Sequence, residues 1–411
     1  MTDPRPHLSH ASASRTPMPR PAPQPDTVKI ITGVAEPWGT PGETGAFLRD
    51  LYDDRTLFEV ALYTPAGPHP AHTAVRDKTV LIRLLATSDD RATDYEARIE
   101  QFEAGLRTDL DPAQADAVVH CHGLTSPMTQ ALTRVLPDAP RVALLQGIDL
   151  ARAERDARWW QMLRRTATAM AAIVVPSAAS GERLRAHVPD LPTGQITLIR
   201  PGIEDYLVQA PGWRWRSHHR DGGGQLRILF DAGSATAQDA KDLAAACRAT
   251  RAVSLTMVGQ LDDGANTIDS PGLVLASLGH VPRDRLRELY AHHDVLVKPA
   301  RSDESLGLNA LEAQAHGLPV LYQPVPGLAE TVGAGGLPCD LTIPQAFATT
   351  VARLRQHPDY LRELAAAGYA NAARYPLTAS RRLLHLLSSN LLHRDDAEDL
   401  EQPPARAEPP G

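Results

Sequence analysis

The sequence predicts an α/β protein with two doubly wound domains, each a mainly parallel β-sheet covered by helices. Short apolar runs alternate with amphipathic helical stretches, which is the pattern of parallel strands connected by helices. This pattern occurs twice, before and after a segment at 207–224 that contains the turn-forming run Gly222-Gly223-Gly224. The chain has 411 residues, 43% of them hydrophobic, so it can fill two cores of ordinary size.

Charge and cysteine content exclude several classes of protein. The formal net charge is −7 and both signs are spread along the chain, which argues against a nucleic-acid binder. The cysteines, Cys121, Cys247 and Cys339, are far apart and form neither a disulfide framework nor a C-x-x-C metal pair. No apolar run reaches the ~18–20 residues of a membrane span, and the N-terminus lacks the apolar centre of a secretory signal. We therefore expect a reduced, cytoplasmic protein whose membrane association is at most peripheral.

The composition along the chain predicts where the domains begin and end. Both ends are rich in proline and poor in large apolar residues, which predicts disorder. The predicted order is a tail at 1–27, a first domain at 28–206, a linker at 207–224, a second domain at 225–375, a helix at 376–393 that returns to the first domain, and a tail at 394–411.

Individual elements follow from the periodicity of the apolar residues. In the first domain, strands are predicted at 28–31, 58–62, 80–82, 117–120, 142–145 and 173–175, and helices at 45–53, 95–106 and 153–171. In the second domain, strands are predicted at 226–230, 254–258, 295–298 and 320–322, and helices at 241–248, after Val281-Pro282, at 308–316, and twice within 342–363. An amphipathic helix at 379–389 is expected to cross back to the first domain.

The segment 299–330, PARSDESLGLNALEAQAHGLPVLYQPVPGLAE, carries most of the functional information. Glu304 lies in a loop before Gly307, and a helix follows that stops at Gly317, a residue suited to the position after a helix end. Glu312 lies about one turn into this helix. We interpret the residues 326–330 as a further loop.

This arrangement suits a nucleotide-sugar. A helix N-terminus offers N–H groups and partial positive charge to a diphosphate, and Gly307, which has no Cβ, lets the backbone approach the ligand. Glu312 could accept both hydroxyls of a ribose, and Glu304 a hydroxyl of the sugar at the other end of the diphosphate. The alternative is two surface glutamates beside an ordinary capped helix.

The same segment resembles the donor-binding motif of retaining glycosyltransferases of family 4, which have the GT-B architecture. The chain keeps both glutamates and the helix, but has Leu306 for the usual phenylalanine, Ala300 for serine and Pro326-Gly327 for two glycines. The resemblance covers nearly all of residues 28–390 and is strongest at 279–330. It implies two Rossmann-like domains that face a central cleft, the first on the acceptor side and the second binding the nucleotide-sugar.

The resemblance also implies roles for residues of the donor site. Glu312 would bind the ribose, and Glu304 would act at the donor sugar as a catalytic residue. The residues whose backbone amides would hold the donor sugar and its phosphates are Leu306, Gly307, Leu308 and Asn309.

The phosphate-binding residues of the family are only partly present. Family members usually have Gly-Arg after the first strand of the second domain and a lysine about five residues later. Here Gly233 is followed by Ser234, and Lys241 comes eight residues after the glycine. Losing a charge-assisted hydrogen bond of roughly 1.5–3 kcal/mol could weaken donor binding roughly ten- to a hundred-fold. Lys298 and Arg301 are the candidates to compensate.

Acceptor-side candidates come from the loops of the first domain. Gly42, Glu43 and Thr44 fall where the family has a glycine-rich loop, although a turn that leads into a capped helix explains Glu43 equally well. Gln146 takes the place of a histidine near the reacting carbon. It can hydrogen-bond a sugar hydroxyl but cannot act as a general base. His122, which follows a strand together with His120, could line the cleft or be structural.

Together these features predict a retaining glycosyltransferase that moves a sugar from a nucleotide-diphospho-sugar to an acceptor hydroxyl. No D-x-D motif follows a strand, so we expect no metal and no cofactor beyond the donor. The acceptor could be a glycan, a glycolipid or a specialised metabolite. The rival interpretation is a degenerate GT-B protein that binds a sugar nucleotide or a protein partner without catalysis, which Gln146, Ser234 and the displaced Lys241 favour. An epimerase or phosphorylase lacks support, since no lysine is placed to hold pyridoxal phosphate.

Overall fold

The computed structural model describes residues 27–38, 43–66, 74–77, 80–85, 94–110, 116–209, 225–232, 237–250, 253–259, 274–299 and 306–393. The predicted tails, apart from residue 27, and the linker beyond residue 209 lie outside these ranges.

The first domain is built on a sheet that has eight strands in the described ranges. They are β1 (Val28–Gly33), β2 (Phe58–Pro65), β3 (Ala74–Asp77), β4 (Val80–Leu85), β5 (Val118–His122), β6 (Arg141–Leu144), β7 (Ala172–Val175) and β8 (Ile196–Leu198). Their order is β3-β4-β2-β1-β5-β6-β7-β8, and every pair is parallel except β3 with β4. β3 was not predicted from the sequence.

Helices cover both faces of this sheet. They are α1 (Glu43–Tyr52), α2 (Tyr95–Arg107), α3 (Pro127–Val135), α4 (Gly147–Arg155), α5 (Ala157–Thr168), α6 (Ala178–His187) and α7 (Tyr206–Gln209), with a 3-10 turn at Thr193–Gln195. The single helix predicted at 153–171 is wrong, because Asp156 ends α4 in an extended conformation and then caps α5. Its carboxylate accepts the Arg158 backbone N–H at 2.8 Å.

The second domain repeats the plan with six parallel strands in the described ranges. They are β9 (Leu226–Asp231), β10 (Val253–Val258), β11 (Val274–Ser277), β12 (Val295–Lys298), β13 (Val320–Tyr322) and β14 (Gly336–Pro338). Their order is β11-β10-β9-β12-β13-β14, so the order reverses at β9. That reversal marks the crevice in which doubly wound sheets bind ligands.

The helices of the second half are α8 (Ala237–Thr250), α9 (Arg283–His292), α10 (Leu308–Ala315), α11 (Pro326–Val332), α12 (Pro344–Gln356), α13 (Pro358–Ala372) and α14 (Leu377–Leu392), with a 3-10 turn at Gly333–Gly335. The loop predicted at 326–330 is wrong, since these residues form most of α11. Pro326 occupies its first turn, where the missing N–H costs no hydrogen bond.

Cover by helices on both faces explains why the parallel strands of the two sheets are apolar. Every residue of β5, β7 and β12 is buried, as expected for strands covered by helices on both faces. α14 returns to the first domain, where Leu384 and Leu391 join the core of the first sheet. None of the helices in the described ranges combines the length and apolarity that a bilayer crossing requires.

The chain passes between the two domains twice at one place. The Ile203 N–H donates to the Tyr375 carbonyl at 2.9 Å, and the Leu377 N–H donates to the Ile203 carbonyl at 2.8 Å. A Cβ on Gly202 would lie 2.6 Å from the Leu377 Cα, so only glycine allows the two crossings to touch.

Candidate functional site

Two charged residues lie at the reversal point of the second sheet. Asp231 ends β9 and Lys298 ends the adjacent β12, and their carboxylate and ammonium groups form a buried ion pair with an Oδ2–Nζ distance of 2.6 Å. The Asn309 side-chain amide donates to the same carboxylate oxygen at 2.9 Å. The structure therefore brings Lys298 and Asn309 together, but the charge of Lys298 is already balanced by Asp231.

α10 begins beside this pair. Gly307, directly before the helix, has a φ of 73°, in the left-handed region that favours glycine. A Cβ at this position would lie 2.9 Å from Cγ2 of Thr331 on α11. Space and backbone conformation therefore both require glycine here. The next residue, Leu308, is buried in an apolar cluster with Ile203 and Tyr375.

Glu312 is almost fully buried and its two oxygens have different surroundings. Its Oε1 accepts from Nε of Arg283 at 2.7 Å, from Nη2 of the same arginine, and from Nη2 of Arg287 at 3.3 Å. The two arginines are four residues apart on α9 and so point to one side of that helix. Oε2 is buried and has no hydrogen-bond partner among the described residues.

The same arginines connect Glu312 to the first domain and to the interdomain segment. Arg283 also pairs with Asp50 of α1, and Arg287 pairs with Glu204. We call these five residues the Glu312 cluster. Its three carboxylates and two guanidinium groups give it a formal charge of −1, so it favours a ligand that donates hydrogen bonds.

Burial and ion pairing act in opposite directions on the pKa values of this cluster. Burial alone would lower the pKa of Arg283, but Glu312 and then Asp50 outweigh it and raise the pKa. Burial alone would raise the pKa of Glu204, but Arg287 outweighs it and lowers the pKa. Both groups are therefore charged at neutral pH.

The carboxyl edge of the first sheet faces this region across a small pocket. His122, which ends β5, and Gln146, which precedes α4, line the pocket together with Leu306. The backbone N–H of Gln146 donates to the Asp149 carboxylate at 3.1 Å, which holds the start of α4. His122, Gln146 and Leu306 are thus brought together although they come from both halves of the chain.

Comparisons with known proteins decide the family. Residues 54–205 match the family described as Glycosyltransferase Family 4, and residues 230–357 match that described as Glycosyl transferases group 1. The chain belongs to these glycosyltransferases. The first matched stretch lies within the half built on the first sheet, and the second within the half built on the second sheet.

Curated relatives carry the name D-inositol 3-phosphate glycosyltransferase. The one from Thermobispora bispora is 36% identical over 115 residues, which is 28% of this chain and 27% of the relative. The one from Streptosporangium roseum is 29% identical over 208 residues, which is 46% of this chain and 48% of the relative. The chain therefore spans about half the length of these relatives or less.

Solved structures confirm the GT-B glycosyltransferase fold. Sucrose-phosphate synthase from Thermosynechococcus elongatus superposes with a TM-score of 0.72 at 16% identity, covering 89% of this chain and 99% of that one. HepE from Anabaena, solved in complex with UDP and glucose, superposes with a TM-score of 0.64 at 14% identity, covering 88% and 100%.

The remaining site residues predicted from the sequence are not brought together in the described ranges. Lys241 is exposed on α8. Glu43 and Thr44 are the first residues of α1, and their side chains are not described. Gly42, Gly233, Ser234, Arg301 and Glu304 lie outside the described residues. Their roles stay predictions.

The two arginines of the Glu312 cluster were not predicted from the sequence. The run RDRLREL places Arg283 and Arg287 four residues apart, and this spacing was the available signal. Glu330 on α11 was not predicted either. The Glu330 carboxylate accepts the Ala178 N–H at 2.8 Å, at the start of α6, and pairs with Arg200 at 3.1 Å. Because 326–330 was interpreted as a loop, a cross-domain helix cap was not expected there.

Two buried histidines should make the stability of the protein depend on pH. Burial lowers the pKa of His122 from 6.5 to about 3, and burial with the neighbouring His122 does the same for His120. Between these values the unfolded chain binds more protons, so the free energy of unfolding falls as pH falls below about 6.5. Each histidine contributes a slope of about 1.4 kcal/mol per pH unit.

Urea unfolding at several pH values between 6 and 4 measures this slope. His122→Phe should reduce it by the contribution of one histidine. A control variant, His280→Gln, replaces an exposed histidine and should leave it unchanged. Equal slopes in wild type and His122→Phe would contradict the neutral, buried state of His122.

Proposed function

We propose that the protein is a retaining glycosyltransferase that moves a sugar from a nucleotide-diphospho-sugar to an acceptor hydroxyl. The observation that carries this proposal is the buried Glu312 carboxylate, whose Oε2 has no partner among the described residues, in the helix that begins at the reversal point of the second sheet. A buried acceptor left without a hydrogen bond costs about 1–3 kcal/mol, and a ribose hydroxyl would satisfy it.

The donor would lie along the start of α10 with its ribose at Glu312. The negative formal charge of the Glu312 cluster favours the ribose hydroxyls, which donate hydrogen bonds, over the phosphates. The phosphates would instead bind at the helix N-terminus at Gly307. HepE from Anabaena was also solved in complex with UDP-glucose, which supports a nucleoside diphosphate sugar as the donor class. Three N–H groups already occupy Oε1, so Arg283 would have to shift for both ribose hydroxyls to bind Glu312.

In the transfer step the acceptor oxygen would bond to the anomeric carbon as the bond from that carbon to the diphosphate breaks. The departing diphosphate would take the acceptor proton on the same face of the sugar, and the configuration would be retained. Gln146 would hydrogen-bond a sugar hydroxyl, and Glu304 would hold the donor sugar. Closure of the two domains would exclude water.

We expect the protein to be located in the cytoplasm. We also expect it to be active without a divalent metal ion or another cofactor. Within the described residues, His, Cys, Asp and Glu side chains form no group of three or more that could hold a metal. Turnover measured in EDTA should equal turnover in Mg²⁺ or Mn²⁺. A loss of turnover in EDTA that either ion restores would contradict this prediction.

The experiment that tests the proposal follows the product. Once a nucleotide-sugar is found that the protein consumes, proton NMR of the glycoside gives its anomeric configuration. We expect the configuration of the donor, and an inverted product would overturn the retaining mechanism. Gln146 lines the cleft pocket in the place of a histidine and cannot act as a general base, which favours one second candidate, a protein that binds nucleotides without transferring sugar.

A further inference from the structure

The pocket between the two halves has apolar walls and two polar groups. It encloses about 40 Å³, and a single water needs about 10–15 Å³, so it admits the end of a small molecule. The polar groups belong to His122 and Gln146, and among the described residues that line the pocket none is charged. Its apolar walls include Phe47, Leu51, Leu144, Leu306 and Leu384.

A series of hydrogen bonds indicates the tautomer of His122. Ser388 on α14 donates its hydroxyl proton to the Leu384 carbonyl at 2.8 Å, so its oxygen accepts from Nε2 of His120 at 2.9 Å. Nδ1 of His120 is then unprotonated and accepts a hydrogen bond from the Tyr52 hydroxyl at 2.9 Å. Because Tyr52 has used its proton, Nε2 of His122 donates to the Tyr52 oxygen at 3.2 Å. A neutral His122 in this tautomer has an unprotonated Nδ1.

That nitrogen is a buried, unsatisfied atom of a residue that lines the pocket. His122 is 5% exposed, and its Nδ1 has no hydrogen-bond partner among the described residues. A buried lone pair in apolar surroundings favours a ligand that brings one hydrogen-bond donor and little other polarity. A hydroxyl on an apolar carbon skeleton has this chemistry.

We propose that this pocket is the acceptor subsite and that it takes the hydroxyl end of an apolar alcohol, with the hydroxyl donating to Nδ1 of His122. The proposal rests on the proposed function, since it names the acceptor class for the same cleft. Leu306, two residues before the first residue of the donor helix α10, closes one side of the pocket, so an alcohol bound here lies next to the donor site. Burial keeps the pKa of His122 at about 3, so this residue positions the hydroxyl and the diphosphate takes the proton.

The pocket does not suit a phosphorylated acceptor such as the one named for the curated relatives. A phosphate needs cationic partners, and the described lining has none. Arg200 lies between two lining residues, Ile199 and Pro201, but its guanidinium pairs with Glu330 at 3.1 Å. We therefore expect a change of acceptor class within a shared fold.

The tautomer can be observed directly in the wild-type protein. NMR of protein labelled with ¹⁵N-histidine should find the ring proton of both His120 and His122 on Nε2 at pH 7. Tyr52→Phe should remove the hydrogen bond from Nε2 of His122 to the Tyr52 oxygen and change the His122 signals. A proton on Nδ1 of His122 in the wild type would overturn the proposal, whether or not any variant folds.

Binding of matched probes tests the acceptor class. 1-Hexanol and 1-methoxypentane are isomers, and only the first can donate a hydrogen bond. We expect wild type to bind 1-hexanol about 2- to 10-fold more tightly than the ether, which corresponds to one hydrogen bond of about 0.5–1.5 kcal/mol. In His122→Phe the ratio should fall to about one. Equal binding of the two probes by wild type, or displacement of 1-hexanol by D-inositol 3-phosphate, would overturn the proposal.

The same samples separate this proposal from the proposed function. Nucleoside diphosphate affinity should be the same in wild type, His122→Phe and Tyr52→Phe, because the donor contacts lie on the second domain. If the alcohol preference is absent while a nucleotide binds, the acceptor class is wrong and the donor site stands. If no nucleotide binds wild type, the proposed function fails whatever the alcohols do.

Discussion

Glu312→Ala should weaken binding of the nucleoside diphosphate by about 10- to 100-fold or more. A hydrogen bond to a charged group contributes about 1.5–3 kcal/mol, and this variant loses at least the bond from one ribose hydroxyl to Oε2. Arg283 and Arg287 keep Asp50 and Glu204 as ionic partners, so the fold should persist. Isothermal calorimetry with the nucleotide that binds wild type measures the change.

Two further variants make this result specific. Glu312→Gln keeps an oxygen at the site and loses the charge, so its affinity should be intermediate. Glu288→Ala removes an exposed carboxylate of α9 that pairs with Arg285, and it should bind as wild type does. Wild-type affinity in Glu312→Ala would remove Glu312 from the donor site.

Lys298→Met should destabilise the second domain by about 3–5 kcal/mol. The Lys298 and Asp231 side chains are 3% and 8% exposed, and this substitution takes the Lys298 ammonium group away from a buried carboxylate. The double variant with Asp231→Asn removes both charges and should recover much of the loss. Urea unfolding of the two variants and wild type measures the difference.

The double variant also tests whether Lys298 binds the diphosphate of the donor. If Lys298 turns from Asp231 to the diphosphate when the donor binds, the stable double variant should bind nucleotide roughly 10- to 100-fold more weakly than wild type. Arg301→Ala tests the other predicted compensating charge in the same assay. Full affinity in both would show that neither residue grips the phosphates.

Elements with strong local signals could be predicted from the sequence. α10 is an example, because Gly317 follows its end with a φ of 75°, as a glycine in this position predicts. Local signals failed where one residue has two roles. Asp156 ends α4 and caps α5. Apolar residues continue at helical spacing on both sides of it, so their periodicity does not show that the helix is interrupted.

The site could be predicted only in part, because much of it joins residues that are distant in sequence. Arg283 and Asp50 are 233 positions apart, and His120 and Ser388 are 268 apart. Apolar periodicity reports which face of an element is buried, but not which charged group from another domain meets it. The motif therefore indicated Glu312, while its arginine partners and the Tyr52 hydrogen bonds became visible only in the fold.

Release of a nucleoside diphosphate from a nucleotide-sugar would show directly whether the protein transfers sugar. Wild type and Glu312→Ala would be incubated with UDP-, GDP-, ADP- and dTDP-linked sugars, with acceptor alcohols present, and the released diphosphate would be quantified by chromatography. We expect wild type to release the diphosphate from one donor class and Glu312→Ala to release none. Binding of a nucleotide at Glu312 with no release from any donor would contradict this expectation and establish a binding protein in place of an enzyme.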